Sequence, residues 1–206
     1  MATSDASSDD AEITLGLLNA VHRNEALTQR FIADELGVAL GLVNAYLKRC
    51  VRKGYVKIKQ APRNRYAYYL TPKGFSEKSR LTAAYLSQGF KFFGIARKEI
   101  GEIYRVCETR NWCKLAIYGL SDLAEIAVLS ARDANIDLVA IVDAKVTRTR
   151  YEGLPVVAAL SDVAIDAVLL ADTLDPQGAY EMIVDGFPDA QVMIPGLLNV
   201  SRRVPL

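Results

Sequence analysis

The chain has 206 residues, enough for two small domains, and 51% of them are apolar, which excludes a disordered chain. Three cysteines without Cys-x-x-Cys spacing (Cys50, Cys107 and Cys113) and a single histidine, His22, exclude a disulfide framework and offer no metal-ligand set. The net charge of +1 hides a division: residues 1–113 hold eighteen Lys/Arg and eleven Asp/Glu, residues 114–206 hold seven and thirteen. A basic first half favours an anionic polymer as partner.

Residues 1–10, MATSDASSDD, are polar and acidic, lack the order of a secretory signal, and are expected to form a disordered tail. No apolar run approaches the roughly 18 residues of a membrane span, so a cytoplasmic location is expected. Ile13, Leu15, Leu17, Leu18 and Val21 then predict a helix with one apolar face. A second helix follows, with Thr28 as N-cap and Gly37 as stop. A third starts at about Leu40, with Leu42, Val43, Tyr46, Leu47 and Val51 at helical spacing and Gly54 at its end. The short turn at Gly37-Val38 makes the last two a helix-turn-helix. YVKIKQ and YAYYLTPKG alternate as strands around the turn APRNR. Residues 11–74 therefore read as a winged helix-turn-helix.

Charge placement is more specific than this fold. The 41 residues between Glu35 and Glu77 contain no acid. They contain Lys48, Arg49, Arg52, Lys53, Lys57, Lys59, Arg63, Arg65 and Lys73. Nine cations over a recognition helix and a wing point to double-stranded DNA. Asn44 is placed to reach a base edge, and Lys48, Arg49 and Arg52 lie further along the same helix. Lys57 sits on the wing, and Arg63, Asn64 and Arg65 at its tip. Thr28, Gln29 and Leu40 complete the candidate DNA contacts.

The segments LTQRFIADELGVALGLVNAYLKRCVRKGYVKIK and YAYYLTPKGFSEKSRLTAAYL resemble the MarR-type winged-helix regulators, above all their exopolysaccharide-associated subgroup, over residues 12–90. The resemblance implies a dimeric, sequence-specific transcriptional regulator.

Residues 75–111 contain no proline and read as a connecting helix. Leu86, Phe93, Ile100 and Cys107 repeat every seven residues, and Ile103 falls three after Ile100. This a/d-like seam predicts a homodimer, and two-fold symmetry then predicts an inverted-repeat operator. A helix packed on its own domain is the alternative.

From residue 112 short apolar strands alternate with helices, predicting a Rossmann-like parallel sheet covered on both faces, in strand order 3-2-1-4-5. Its ligand crevice would be formed by Gly119, Leu120, Ser121 and Asp122 after the first strand, by Asp143, Ala144 and Lys145 after the second, and by Ala171 and Asp172 after the long strand. Asp143 lies 24 residues beyond Gly119, near the position of a ribose-binding acid, so NAD(H) or a nucleotide sugar is the candidate ligand. The loop departs from Gly-x-Gly-x-x-Gly, with Ser121 and Ala124 at the second and third positions. The Ser121 hydroxyl offers a donor to a phosphate oxygen. Asp122 and Glu125 also read as an N-cap box that serves only the helix. Ile117-Tyr118-Gly119, Val142-Asp143 and Gly153-Leu154-Pro155-Val156 are similar to the nucleotide-binding-like domain of polysaccharide-synthesis proteins, over residues 113–175. Three functions follow. One is a regulator that senses a nucleotide, the second a regulator whose second half is a ligand-free interaction module. The third, a sugar-nucleotide enzyme, lacks a Tyr-x-x-x-Lys pair in that half, and the chain is read as non-enzymatic.

Overall fold

The computed structural model describes residues 2–24, 28–61, 65–145 and 147–203. It divides into two units, Met1–Gly89 and Phe90–Leu206.

In the first unit, helix α1 (Ala2–Arg23) precedes α2 (Gln29–Leu36) and α3 (Leu40–Arg52). Thr28 caps α2, its hydroxyl accepting from the Phe31 N–H at 3.2 Å, and Gly37 ends it at φ +63°. Strands β1 (Val56–Ala61) and β2 (Arg65–Leu70) pair antiparallel, with Ile58 opposite Tyr68. Leu17, Leu18 and Val21 of α1 pack with Leu47, Cys50, Val56, Tyr68 and Leu81. Ala20, Ile32, Ala33 and Val43 form a second small cluster between the three helices. The expected winged helix is therefore present. The expected tail is not: α1 is helical from Ala2, and Asp10 within it is bonded to α3. Acids near a helix start are favoured by its positive end, and sequence polarity alone reads them as a tail.

Helix α4 (Pro72–Thr109) begins on the Leu-Thr-Pro-Lys-Gly segment. Thr71 accepts from the Gly74 N–H at 3.0 Å and donates to the Gly54 carbonyl at 2.6 Å, so it caps α4 and fastens it to the end of α3. A Cβ at Gly74 would collide with the Tyr55 carbonyl oxygen, which explains the glycine. The segment is thus a structural joint, made from Thr, Pro at the first helical position, and Gly.

The second unit is a six-stranded sheet in the order β5-β6-β4-β3-β7-β8. The strands are β3 (Lys114–Tyr118), β4 (Asp137–Val142), β5 (Arg150–Tyr151), β6 (Leu154–Val157), β7 (Ala167–Leu170) and β8 (Val192–Met193). All pairs are parallel except β5 with β6. Apart from the antiparallel edge strand β5, this is the expected 3-2-1-4-5 order. Helix α5 (Asp122–Ala131) and the later turns of α4 cover one face, packing Ala96, Ile100, Tyr104, Cys107, Leu123 and Ala127 on Leu115, Ile117 and Leu169. Helix α6 (Pro176–Val184) covers the other, with Ala179, Tyr180 and Ile183 on Val168 and Leu170. Residues alternate between the faces along β7, as strand geometry requires.

Helix α4 is therefore not a separate connector over 75–111. Leu81 belongs to the first core, and Ala96 to Cys107 belong to the second. The proposed seam is corrected accordingly. Ile100 and Cys107 are fully buried in their own unit and Ile103 packs against the same cluster, leaving Leu86 and Phe93 exposed. A helix stripe that packs on its own sheet carries the same seven-residue spacing as a seam between subunits.

Candidate functional site

Helix α3 turns Val43, Leu47 and Cys50 inward. At 100° per residue the opposite face carries Gly41, Ala45, Lys48 and Arg52, all exposed, with half-buried Asn44 on its flank beside Lys48. Leu40, at the start of the helix, is 45% exposed. Lys57 and Lys59 are exposed on one face of β1. Two cations one turn apart, with two small residues beside them, form a basic surface that a polyanion can approach closely. Gly41 and Ala45 were not singled out by sequence because they bear no polar group, although counting from Val43 places them next to Lys48.

Three other candidate contacts have internal partners. The Thr28 hydroxyl is the α2 cap, and the Gln29 side-chain amide donates to the Tyr68 hydroxyl at 3.2 Å. Arg49 donates to Asp10 Oδ1 at 2.6 Å and lies 4.3 Å from the centre of the Tyr46 ring. The Tyr46 hydroxyl donates to the same carboxylate oxygen at 2.5 Å. The Arg49 and Tyr46 hydrogen bonds hold the Asp10 carboxyl below its ordinary pKa, and Asp10 raises Arg49 in turn. Arg49 thus fixes α3 against α1 on the flank away from Asn44 and Lys48. Arg63 and Asn64 lie outside the described residues, as does the Arg65 side chain; the Arg65 backbone pairs with Ala61.

In the second unit, Gly119, Leu120, Ser121, Asp143, Ala171 and Asp172 do come together at the carboxyl ends of β3, β4 and β7. Their polar groups, however, bond one another. The Leu120 N–H, which faces a phosphate in a nucleotide loop, donates to Asp143 Oδ2 at 3.0 Å. Asp143 Oδ1 accepts from the Lys145 N–H at 2.9 Å. The Ser121 hydroxyl donates to the Ala171 carbonyl at 2.6 Å and accepts from the Ala124 N–H at 3.3 Å. Ser121, not Asp122, is therefore the cap of α5, and Glu125 instead accepts from the Tyr151 hydroxyl at 3.1 Å. Asp172 Oδ1 accepts from the Leu174 and Asp175 N–H groups. Gly119 has φ +95°, and a Cβ there would lie 2.7 Å from the Asp172 Cα, so the close approach this glycine permits is to a neighbouring strand end. Asp122, Ala144 and Lys145 stand exposed at the rim. Burial and the Asp143 and Asp172 charges raise the Tyr118 hydroxyl pKa. The crevice is acidic and internally bonded, an arrangement that disfavours a phosphate.

Among the described residues no group of three or more His, Cys, Asp or Glu side chains is gathered as a metal would require. No described helix is long and apolar enough to cross a membrane.

Residues 10–57 match the sequence profile of the family described as winged helix-turn-helix DNA-binding. No curated protein matches the chain. Among solved structures, the PcaV transcriptional regulator from Streptomyces coelicolor, in complex with its natural ligand, is 25% identical over 37% of this chain and 57% of its own, with TM-score 0.34. The Staphylococcus aureus MepR–DNA complex is 23% identical over 42% of this chain and 61% of its own, with TM-score 0.36. PigF with SAH is 16% identical over 91% of this chain and 72% of its own, with TM-score 0.33. The chain thus spans about three-fifths of the length of the regulators it matches. Residues 10–57 thus match a winged helix-turn-helix in sequence, within the winged-helix fold of the first unit.

Proposed function

We propose that the protein is a MarR-type transcriptional regulator of surface-polysaccharide genes that binds double-stranded DNA as a homodimer at an inverted repeat. The observation that carries this reading is the outward face of α3, where Lys48 and Arg52 flank small residues in a 41-residue stretch without an acid. Phosphate contacts supply the affinity, and Asn44 reads a base edge. The reading is non-enzymatic, and the polysaccharide link rests on the resemblance of both halves.

Helix α4 supports the dimer through the exposed part of the expected seam, Leu86 and Phe93, together with the exposed residues around them. Residues 83–95 are all exposed, including Tyr85, Leu86, Phe90, Phe92 and Phe93. A second copy crossing antiparallel at Gly89-Phe90 would oppose Leu86 to Phe93 and Phe90 to Gly89. It would bury roughly 500 Å² of apolar surface per copy, about 1,000 Å² for the pair, the least a specific interface needs. Gel retardation on the upstream region of its own gene tests the whole reading. Salt-sensitive retardation by the intact protein is expected, and no retardation at low salt ends it.

The bonded Leu120 N–H favours a second reading of the acidic half, as a Rossmann-like interaction module rather than a nucleotide sensor. Calorimetry with NAD, NADH and sugar nucleotides then gives no heat, and saturable heat restores the sensor.

A further inference from the structure

The second unit contains a cavity of about 420 Å³, remote in chain order from the Gly119 loop and lined by none of its residues. Its walls are Ile103 and Val106 of α4, Met193 at the end of β8, and Ile194 and Pro195 after it. Three charged side chains line it as well: Glu99, Glu102 and Arg202. Two of them have work elsewhere. Glu99 accepts from the Leu197 N–H at 2.9 Å. Arg202 donates to the Asp189 carbonyl and carboxylate and, at 2.6 Å, to the Val192 carbonyl. Glu102 is exposed and forms no hydrogen bond or ion pair among the described residues, so its carboxylate is free to meet a ligand. Val106, on the apolar wall beside it, is 42% exposed.

We propose that this cavity binds a small organic cation, an ammonium carried on an apolar body about the size of one aromatic ring. The size falls within the range of small-molecule sites, and an apolar wall with one free charge at its edge is their usual composition. The sign follows from the charges: the cation of the lining is already paired and two carboxylates remain, so an anion meets repulsion and a cation meets Glu102. The ring would cover exposed Val106 and half-buried Ile103, which are otherwise left against water.

The test compares three probes with the same ring: 2-phenylethylammonium, 2-phenylethanol and 3-phenylpropionate, each titrated into the full chain by calorimetry and thermal shift. Saturable binding of the ammonium, weaker binding of the alcohol and none of the carboxylate are expected. Glu102→Gln, at an exposed position where folding is not at risk, is expected to weaken the ammonium about tenfold and leave the alcohol unchanged. Val106→Trp, which fills the cavity, is expected to abolish both. Equal binding of the three probes, no binding of the ammonium, or ammonium binding that ignores both substitutions would each overturn the proposal. None of these outcomes bears on DNA binding, so the two readings fail separately.

Discussion

At the scale of single residues, the cations of α3 divide into two kinds. Lys48 and Arg52 are exposed and lie on the face opposite the core, whereas Arg49 spends its guanidinium on Asp10 and the Tyr46 ring. Lys48→Ala and Arg52→Ala are each predicted to weaken DNA binding and lower the salt slope by about 1 per half-site, with the unfolding midpoint unchanged. Arg49→Ala should instead lower the urea midpoint, because Asp10 and Tyr46 lose their partner. Chain titrations at several salt concentrations, alongside urea melts, separate the two behaviours. The same ion pair carries a pH dependence. The Asp10 pKa is lowered on folding, so the unfolded chain takes up the proton first as pH falls. The contribution is complete above the ordinary carboxylate value of 3.8 and is lost as pH drops through the lowered one. With the Asp10 side chain 43% exposed, solvent screening limits it to about 0.5 kcal/mol. Asp10→Asn should remove that amount near neutral pH and flatten the acid limb of a urea-stability profile; an unchanged limb would assign the acid sensitivity to other carboxylates.

At the scale of elements, α4 shows where sequence reading succeeds and where it stops. Its helical run to about residue 110 and its apolar stripe were legible, because helical spacing is local, whereas its start was read three residues late, with Thr71-Pro72 taken into the return strand that ends at Leu70. Which part of the stripe faces the chain's own sheet was not, because that is decided by strands up to about a hundred residues away. The internal bonding of the crevice was hidden for a related reason. The order strand, loop, helix, strand and acid was readable, but Asp143 and the Leu120 N–H meet only through the parallel pairing of β3 with β4. Asp10 was missed because a tail and an unanchored helix start look alike in composition. The division of α4 can be tested by substitution. Ile100→Ala, in the packed part, should cost about 2–4 kcal/mol of stability and leave the oligomeric state alone. Phe90→Glu, 73% exposed in the middle run, should leave stability nearly unchanged and shift the mass from dimer to monomer. Light scattering read beside urea melts decides, and a Phe90→Glu dimer as tight as wild type would place the contact elsewhere.

At the scale of the whole molecule, the unequal charge of the two halves sets how strongly DNA binding should respond to salt. The acidic half repels a polyanion, so the contacts must come from the winged helix alone. Four exposed cations lie on the outward faces of α3 and β1 themselves: Lys48, Arg52, Lys57 and Lys59. A two-fold dimer doubles them to about eight, and counterion release of about 0.9 per neutralised phosphate gives a slope near −7 in log affinity against log salt. A single winged helix on a half-site gives about half of that. The measurement therefore reads the assembly as well as the surface. Wild type should show the steep slope, Phe90→Glu the shallow one, and Lys48→Ala in the dimer a slope reduced by about two because both copies lose a contact. A wild-type slope near −3 with a dimeric mass would mean that only one winged helix engages DNA at a time. It would remove the inverted repeat from the reading while leaving the DNA-binding face in place.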